Sequence, residues 1–66
     1  MKIKLNGELS EFQEGTTVAG LLEKLNIQTG RVAVEVNIEI IKKQNYEKHM
    51  LKEGDLIEIV NFVGGG

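Results

Sequence analysis

"MKIKLNGELSEF", residues 1–12, followed at once by "QEGTTVAGLLEKLN", residues 13–26, decides the fold. Met1, Ile3 and Leu5 alternate with Lys2 and Lys4, the period-two pattern of a strand with one buried face. Asn6-Gly7 then supplies the two positive-φ residues of a type I′ turn, the strongest short-range signal for a hairpin. The return strand, Glu8 to Phe12, is less regular. Leu9 and Phe12 have opposite parity, so a bulge or an early end is expected there. Gly15 closes the strand, and Thr17 (or Thr16) offers a hydroxyl to cap a helix. Val18, Leu21, Leu22 and Leu25 then fall at i, i+3, i+4 and i+7, one apolar stripe. A hairpin that runs directly into an amphipathic helix opens an α+β domain in which the helix packs on the sheet.

The rest of the chain supplies the remaining strands. "NIQTG", residues 26–30, ends the helix with Gly30 as turn residue. "RVAVEVN", residues 31–37, places Val32, Val34 and Val36 on one face and Glu35 on the other, and Asn37 suits the left-handed backbone of a tight turn. "IEIIKK" follows as a short strand. "QNYEKHM", residues 44–50, lacks a clean period and reads as a single helical turn anchored by Tyr46 and Met50. Lys52 to Asp55 form a turn, and "LIEIVNFV", residues 56–63, is the last strand, with Ile57 and Ile59 on one face and Leu56, Glu58, Val60 and Phe62 on the other. The expected core is Val18, Leu21, Leu22, Leu25, Val34, Ile57 and Ile59. Gly20, inside the helix, costs about 1 kcal/mol against alanine, which a close packing neighbour would explain.

Sixty-six residues make one domain. A hydrophobic fraction of 41% suffices for one small core, and 27% charged residues at net charge −2 describe an ordinary globule. Mild acidity and the lack of any basic cluster beyond Lys42-Lys43 argue against a nucleic-acid partner. Apolar runs of two or three residues leave no membrane span or signal segment, and the absence of cysteine leaves no disulfide or thiolate site. A cytoplasmic protein, monomeric when free, is expected.

Catalysis needs positioned acids, bases, nucleophiles or metals, and the chain offers few. His49 is the single histidine and lies in a polar stretch, as a surface or packing residue does. Glu35 and Glu39 could approach across a hairpin, but such pairs are usually solvated. No His/Asp/Glu group has metal-ligand spacing. Gly64-Gly65-Gly66 is no phosphate loop, because no helix follows it. What remains is the α-carboxylate of Gly66 on a tether without side chains, able to enter a narrow active site of another protein. Activated by ATP as a mixed anhydride with AMP, it would accept a sulfur nucleophile and become a thiocarboxylate. The competing reading is a linker or a frayed end.

Thr17-Val18 with Leu21-Leu22, "VAVEVN" with "EII" behind it, "EGD" with "IEIV" across residues 53–60, and above all "FVGGG" at residues 62–66 together resemble the ubiquitin-like sulfur carriers. Within them the chain is most similar to the ThiS/MoaD family, on the side of bacterial thiamin biosynthesis. The resemblance covers the whole chain. It implies a β-grasp fold, α+β, with a mixed sheet of four to five strands on one main helix over residues 1–63 and a flexible glycine tail over 64–66. Many members carry glycine where this chain has Ile38, and many carry a proline near Lys42-Lys43-Gln44.

The resemblance also implies a mechanism. A ThiF-like adenylyltransferase adenylates Gly66 with ATP and magnesium, sulfur from a cysteine desulfurase displaces AMP, and a ThiG-like thiazole synthase takes the sulfur into the thiazole of thiamin. The carrier is then a recycled cosubstrate, not an enzyme, and binds no cofactor of its own. Gly64, Gly65 and Gly66 enter the partners' channels. Parity adds a docking patch: Ile57 and Ile59 face inward, so Val60 and Phe62, with Val63 beside them, border the tail on the face away from the helix. The same chemistry would serve molybdopterin, cysteine, siderophore or tRNA thiolation. A β-grasp interaction module without a reactive tail is the third reading.

Overall fold

The computed structural model describes residues 1–62. Val63 and the Gly64–Gly66 tail expected to be flexible lie outside the described residues. The strands are β1 (Lys2–Leu5), β2 (Glu8–Glu11), β3 (Val32–Val36), β4 (Glu39–Ile41) and β5 (Leu56–Asn61), and the helix α1 is Val18–Lys24. They form one five-stranded sheet in the order β2-β1-β5-β3-β4. β1 and β5 run parallel, and the other neighbours are antiparallel. This is the mixed sheet on one helix of the β-grasp.

The local signals act as their chemistry dictates. Asn6 and Gly7 take φ of 50° and 85° in the β1–β2 turn. The Asn6 side chain then does what another residue of β1 would have done: its Oδ1 accepts from the Ile59 N–H at 2.8 Å, and its Nδ2 donates to the Ile59 carbonyl at 3.4 Å. β2 keeps regular register with β1 and ends early, at Glu11, with no bulge in the register, so Leu9 stays on the solvent face while Phe12 turns in from beyond the strand to pack on the core.

Thr17 caps α1, its Oγ1 accepting from the Gly20 N–H at 3.1 Å. Two further N–H groups of the first turn are satisfied from outside: Val18 donates to the His49 carbonyl at 3.0 Å and Ala19 to the Tyr46 carbonyl at 2.8 Å. The residue that turns the chain out of the helix is Asn26, at φ 58°, rather than Gly30. Asn26 N–H returns to Glu23 and Ile27 N–H to Leu22, the paired bonds of a Schellman motif. Gly30 lies in the 3₁₀ turn Thr29–Arg31. No tight neighbour explains Gly20, because a Cβ there would meet only Thr17 Oγ1 at 3.5 Å and Thr16 Cγ2 at 3.6 Å, ordinary contacts.

The core lies between α1 and the inner face of the sheet. Val18, Leu21 and Leu22 of the helix meet Ile3, Val32, Val34, Val36, Ile41 and Ile57 of the strands. Two expected core residues move outward. Leu25, as the C-cap at the helix end, is 36% exposed, and Ile59 is only half-buried. The 3₁₀ turn Lys43–Asn45 leads into Tyr46, which is buried as expected; Met50 is not an anchor, being 56% exposed and bridged to Thr17, and its neighbour Leu51 fills the core instead.

Candidate functional site

β5 lies at the centre of the sheet, between β1 and β3, and its last described residues lead toward the glycines. Strand parity sorts its side chains. Ile57 turns in beneath the helix, and Leu56, Glu58 and Val60 turn to the opposite face. Phe62, one residue past the strand, keeps the register by donating its N–H to the Arg31 carbonyl at 2.8 Å. Val60 is 55% exposed and Phe62 58% exposed, both on the face expected from parity. Val63, the third residue of the expected patch, and the tail residues Gly64, Gly65 and Gly66 lie outside the described residues.

The cross-strand partners extend the apolar surface further than the sequence suggested. Val60 stands opposite Ala33, whose short side chain leaves its flank open. Leu56 pairs with Lys4 of β1, and Ile40 of β4 stands opposite Glu35. Leu56 and Ile40 are both exposed and belong to the same face. Ile40 escaped the sequence reading because its place on this face depends on the register between β3 and β4.

Other candidate groups do not assemble. Glu35 and Glu39 are not cross-strand partners: Glu39 pairs with the buried Val36, so the two carboxylates lie on opposite faces of the sheet. The carboxylate that faces Glu35 is Glu58. His49 is half-buried in the loop behind β4, where its backbone carbonyl serves the helix N-terminus. Among the described residues no three His, Cys, Asp or Glu side chains converge as metal ligands. No described helix is long and apolar enough to cross a membrane.

One perturbed group belongs to the core. Burial pushes the Tyr46 phenol above its ordinary value, and the Val34 backbone beside it partly offsets the shift. The described residues thus hold an exposed apolar face around Leu56, Val60, Phe62 and Ile40.

A helix across a mixed five-stranded sheet, with a glycine-ended extension on the central strand, defines a ubiquitin-like β-grasp protein. Comparison with known proteins narrows the class. The family model described as "ThiS family" matches residues 3–66, and the chain belongs to that family. The sulfur carrier protein ThiS of Bacillus subtilis is 42% identical over 65 residues, covering 97% of this chain and 98% of that protein. A thiazole synthase of Paramagnetospirillum magneticum is 44% identical over 66 residues; the match takes in 100% of this chain, which spans only 20% of that protein. The crystal structure of a thiamine biosynthesis protein (ThiS) from Geobacter metallireducens superposes with a TM-score of 0.87 at 33% identity, covering both chains completely.

Proposed function

We propose that this chain is a sulfur carrier for the thiazole of thiamin, with Gly66 as the residue that is charged. The observation that carries the reading is the family match through residue 66, which includes all three glycines. In this mechanism a partner adenylyltransferase joins the Gly66 carboxylate to the α-phosphorus of ATP and releases pyrophosphate. A sulfur nucleophile then attacks the acyl carbon, AMP leaves, and a thiocarboxylate remains. ATP and magnesium belong to the partner. A mixed anhydride is the right device, because a bare carboxylate is a poor acyl donor and adenylate is a good leaving group.

Gly64 and Gly65 serve this chemistry by having no Cβ, so the walls of a channel can close on their backbone. Ordering such a segment costs about 1–2 kcal/mol per residue, which makes the tail a weak anchor. The affinity must come from the folded domain, and the face holding Val60 and Phe62, with Val63, is the surface that supplies it. The likeness to a fifth of a thiazole synthase supports that enzyme class as the receiving partner. A cysteine desulfurase stands further back as sulfur donor.

The test is intact mass spectrometry after incubation with the adenylyltransferase of the same genome, ATP, magnesium and sulfide. The reading expects one carboxylate oxygen replaced by sulfur, dependent on ATP and mapping to Gly66. An unchanged mass, with the adenylyltransferase active on its own control carrier, contradicts it.

A further inference from the structure

Glu35 and Glu58 stand directly opposite each other at the middle of the β3–β5 ladder, on the face away from the helix. Directly opposed side chains of an antiparallel pair have Cβ atoms about 4.5–5.5 Å apart, and like charges there are destabilising. The fold does not relieve them. Among the described residues, the ion pair within 4.0 Å is that of the Met1 amino group with Glu14, and no lysine or arginine nitrogen comes that close to either carboxylate. Lys4, diagonal to Glu58 on the same face, and Lys42, in extended backbone one residue past β4 and diagonal to Glu35, are the nearest cations by register, with Arg31 beyond them at the Phe62 end, and none closes on the pair.

The surroundings make the arrangement more pointed. Leu56 precedes Glu58 on this face and Val60 follows it, with Phe62 beyond. Ile40 flanks Glu35 from the other side. The two carboxylates therefore sit inside an exposed apolar border. A partner that covers Val60 and Phe62 must also cover Glu35 and Glu58. An apolar partner surface would strip water from two adjacent carboxylates and return nothing, at a cost that apolar contact does not repay. A guanidinium between them would satisfy both, since its planar fork donates to more than one carboxylate oxygen and it sheds water more readily than an ammonium.

We propose that this face is built for a protein partner that inserts an arginine between Glu35 and Glu58, with apolar side chains around it meeting Leu56, Val60, Phe62 and Ile40. The inference rests on the reading of this face as the docking surface and names the chemistry that its partner must carry. The apolar border excludes water, and the acid pair selects the partner.

The test uses the full chain and the thiazole synthase of the same genome, titrated calorimetrically at low and at physiological salt. Glu35→Gln/Glu58→Gln keeps the shape of both side chains and removes both charges. It should fold with an unchanged or higher melting temperature, bind about tenfold or more weakly at low salt, and lose most of the salt dependence of the wild type. Glu58→Lys should weaken binding further than Glu58→Gln. Phe62→Ala, run in parallel, should weaken binding while keeping the salt dependence. If Phe62→Ala weakens binding but the double glutamine variant binds as the wild type at both salt concentrations, the arginine socket is wrong and the docking face stands. If both variants bind as the wild type, the face itself is misassigned and the socket falls with it.

Discussion

Asn37 donates through its Nδ2 to the Oδ1 of Asp55 at 3.0 Å, joining the β3–β4 turn to the turn that launches β5. Both side chains use their second polar atom as well. Asp55 Oδ2 accepts from the Lys52 N–H at 2.8 Å, and Asn37 Oδ1 accepts from the Leu56 N–H at 2.9 Å. Asp55 is the one buried charged residue of the described chain, and no buried side-chain polar atom there lacks a partner. This small network fixes where β5 starts, and therefore which of its residues face outward.

Asp55→Ala removes an acceptor shared by Asn37 and the Lys52 amide. Leaving such donors without a partner costs about 1–3 kcal/mol. Chemical denaturation should show a loss in that range, large for a domain of this size. An unchanged midpoint would mean that water replaces the carboxylate at no cost.

Ile38 adopts φ 75° beside Asn37 at 54°. A β-branched residue in the left-handed region is strained by about 1–2 kcal/mol, and glycine is not. Ile38 is also 87% exposed, so it has little packing to lose. Ile38→Gly should stabilise the protein by roughly 1 kcal/mol after the entropy that glycine loses on folding is set against the relief. A lower melting temperature would show that Ile38 makes a contact worth more than its strain.

Leu22→Ala and Leu25→Ala separate the core from its border. Leu22 is fully buried, and its truncation should cost about 2–5 kcal/mol. Leu25, at the exposed helix end, should cost well under half of that. Equal losses in urea melts would contradict the placement of Leu25 outside the core.

The Tyr46 phenol has its proton held more tightly in the folded state than in the unfolded chain, where the ordinary value is 10.0. Its contribution to stability is thus complete below about pH 10 and lost as pH rises from there toward the folded-state value, because the unfolded chain releases the proton first. Melting temperatures measured from pH 8 to about 11 should fall more steeply for the wild type than for Tyr46→Phe. Parallel curves would show that Tyr46 titrates alike in both states.

The parts of this fold readable in the sequence are those set by short-range chemistry: the Asn6-Gly7 turn, the Thr17 cap, the helical stripe, and the alternation that turns Ile57 inward and Val60 outward. The parts that escaped depend on contacts distant in sequence. Whether Met50 or Leu51 enters the core is decided by the bridge from Met50 to Thr17. The use of Asn6 as a substitute strand residue requires Ile59 beside it. Asn26 carried a visible signal, since asparagine tolerates the left-handed conformation that ends a helix, but Gly30 offered a competing one four residues on. On the exposed apolar face, the places of Val60 and Phe62 follow from parity alone. The Glu35–Glu58 confrontation does not, because it needs the register of two strands more than twenty residues apart.

The most direct test of the account is deletion of Gly66. The buried core lies wholly within residues 3–57, so the melting temperature should not change. The shortened chain should nevertheless fail to support ATP–pyrophosphate exchange by the adenylyltransferase, because its carboxylate stops one residue short, about 3.3–3.6 Å of extended chain. Gly65→Val should fail in the same assay through the added branched side chain. Exchange at the wild-type rate by the deletion variant would contradict the account and leave the three glycines as a frayed end.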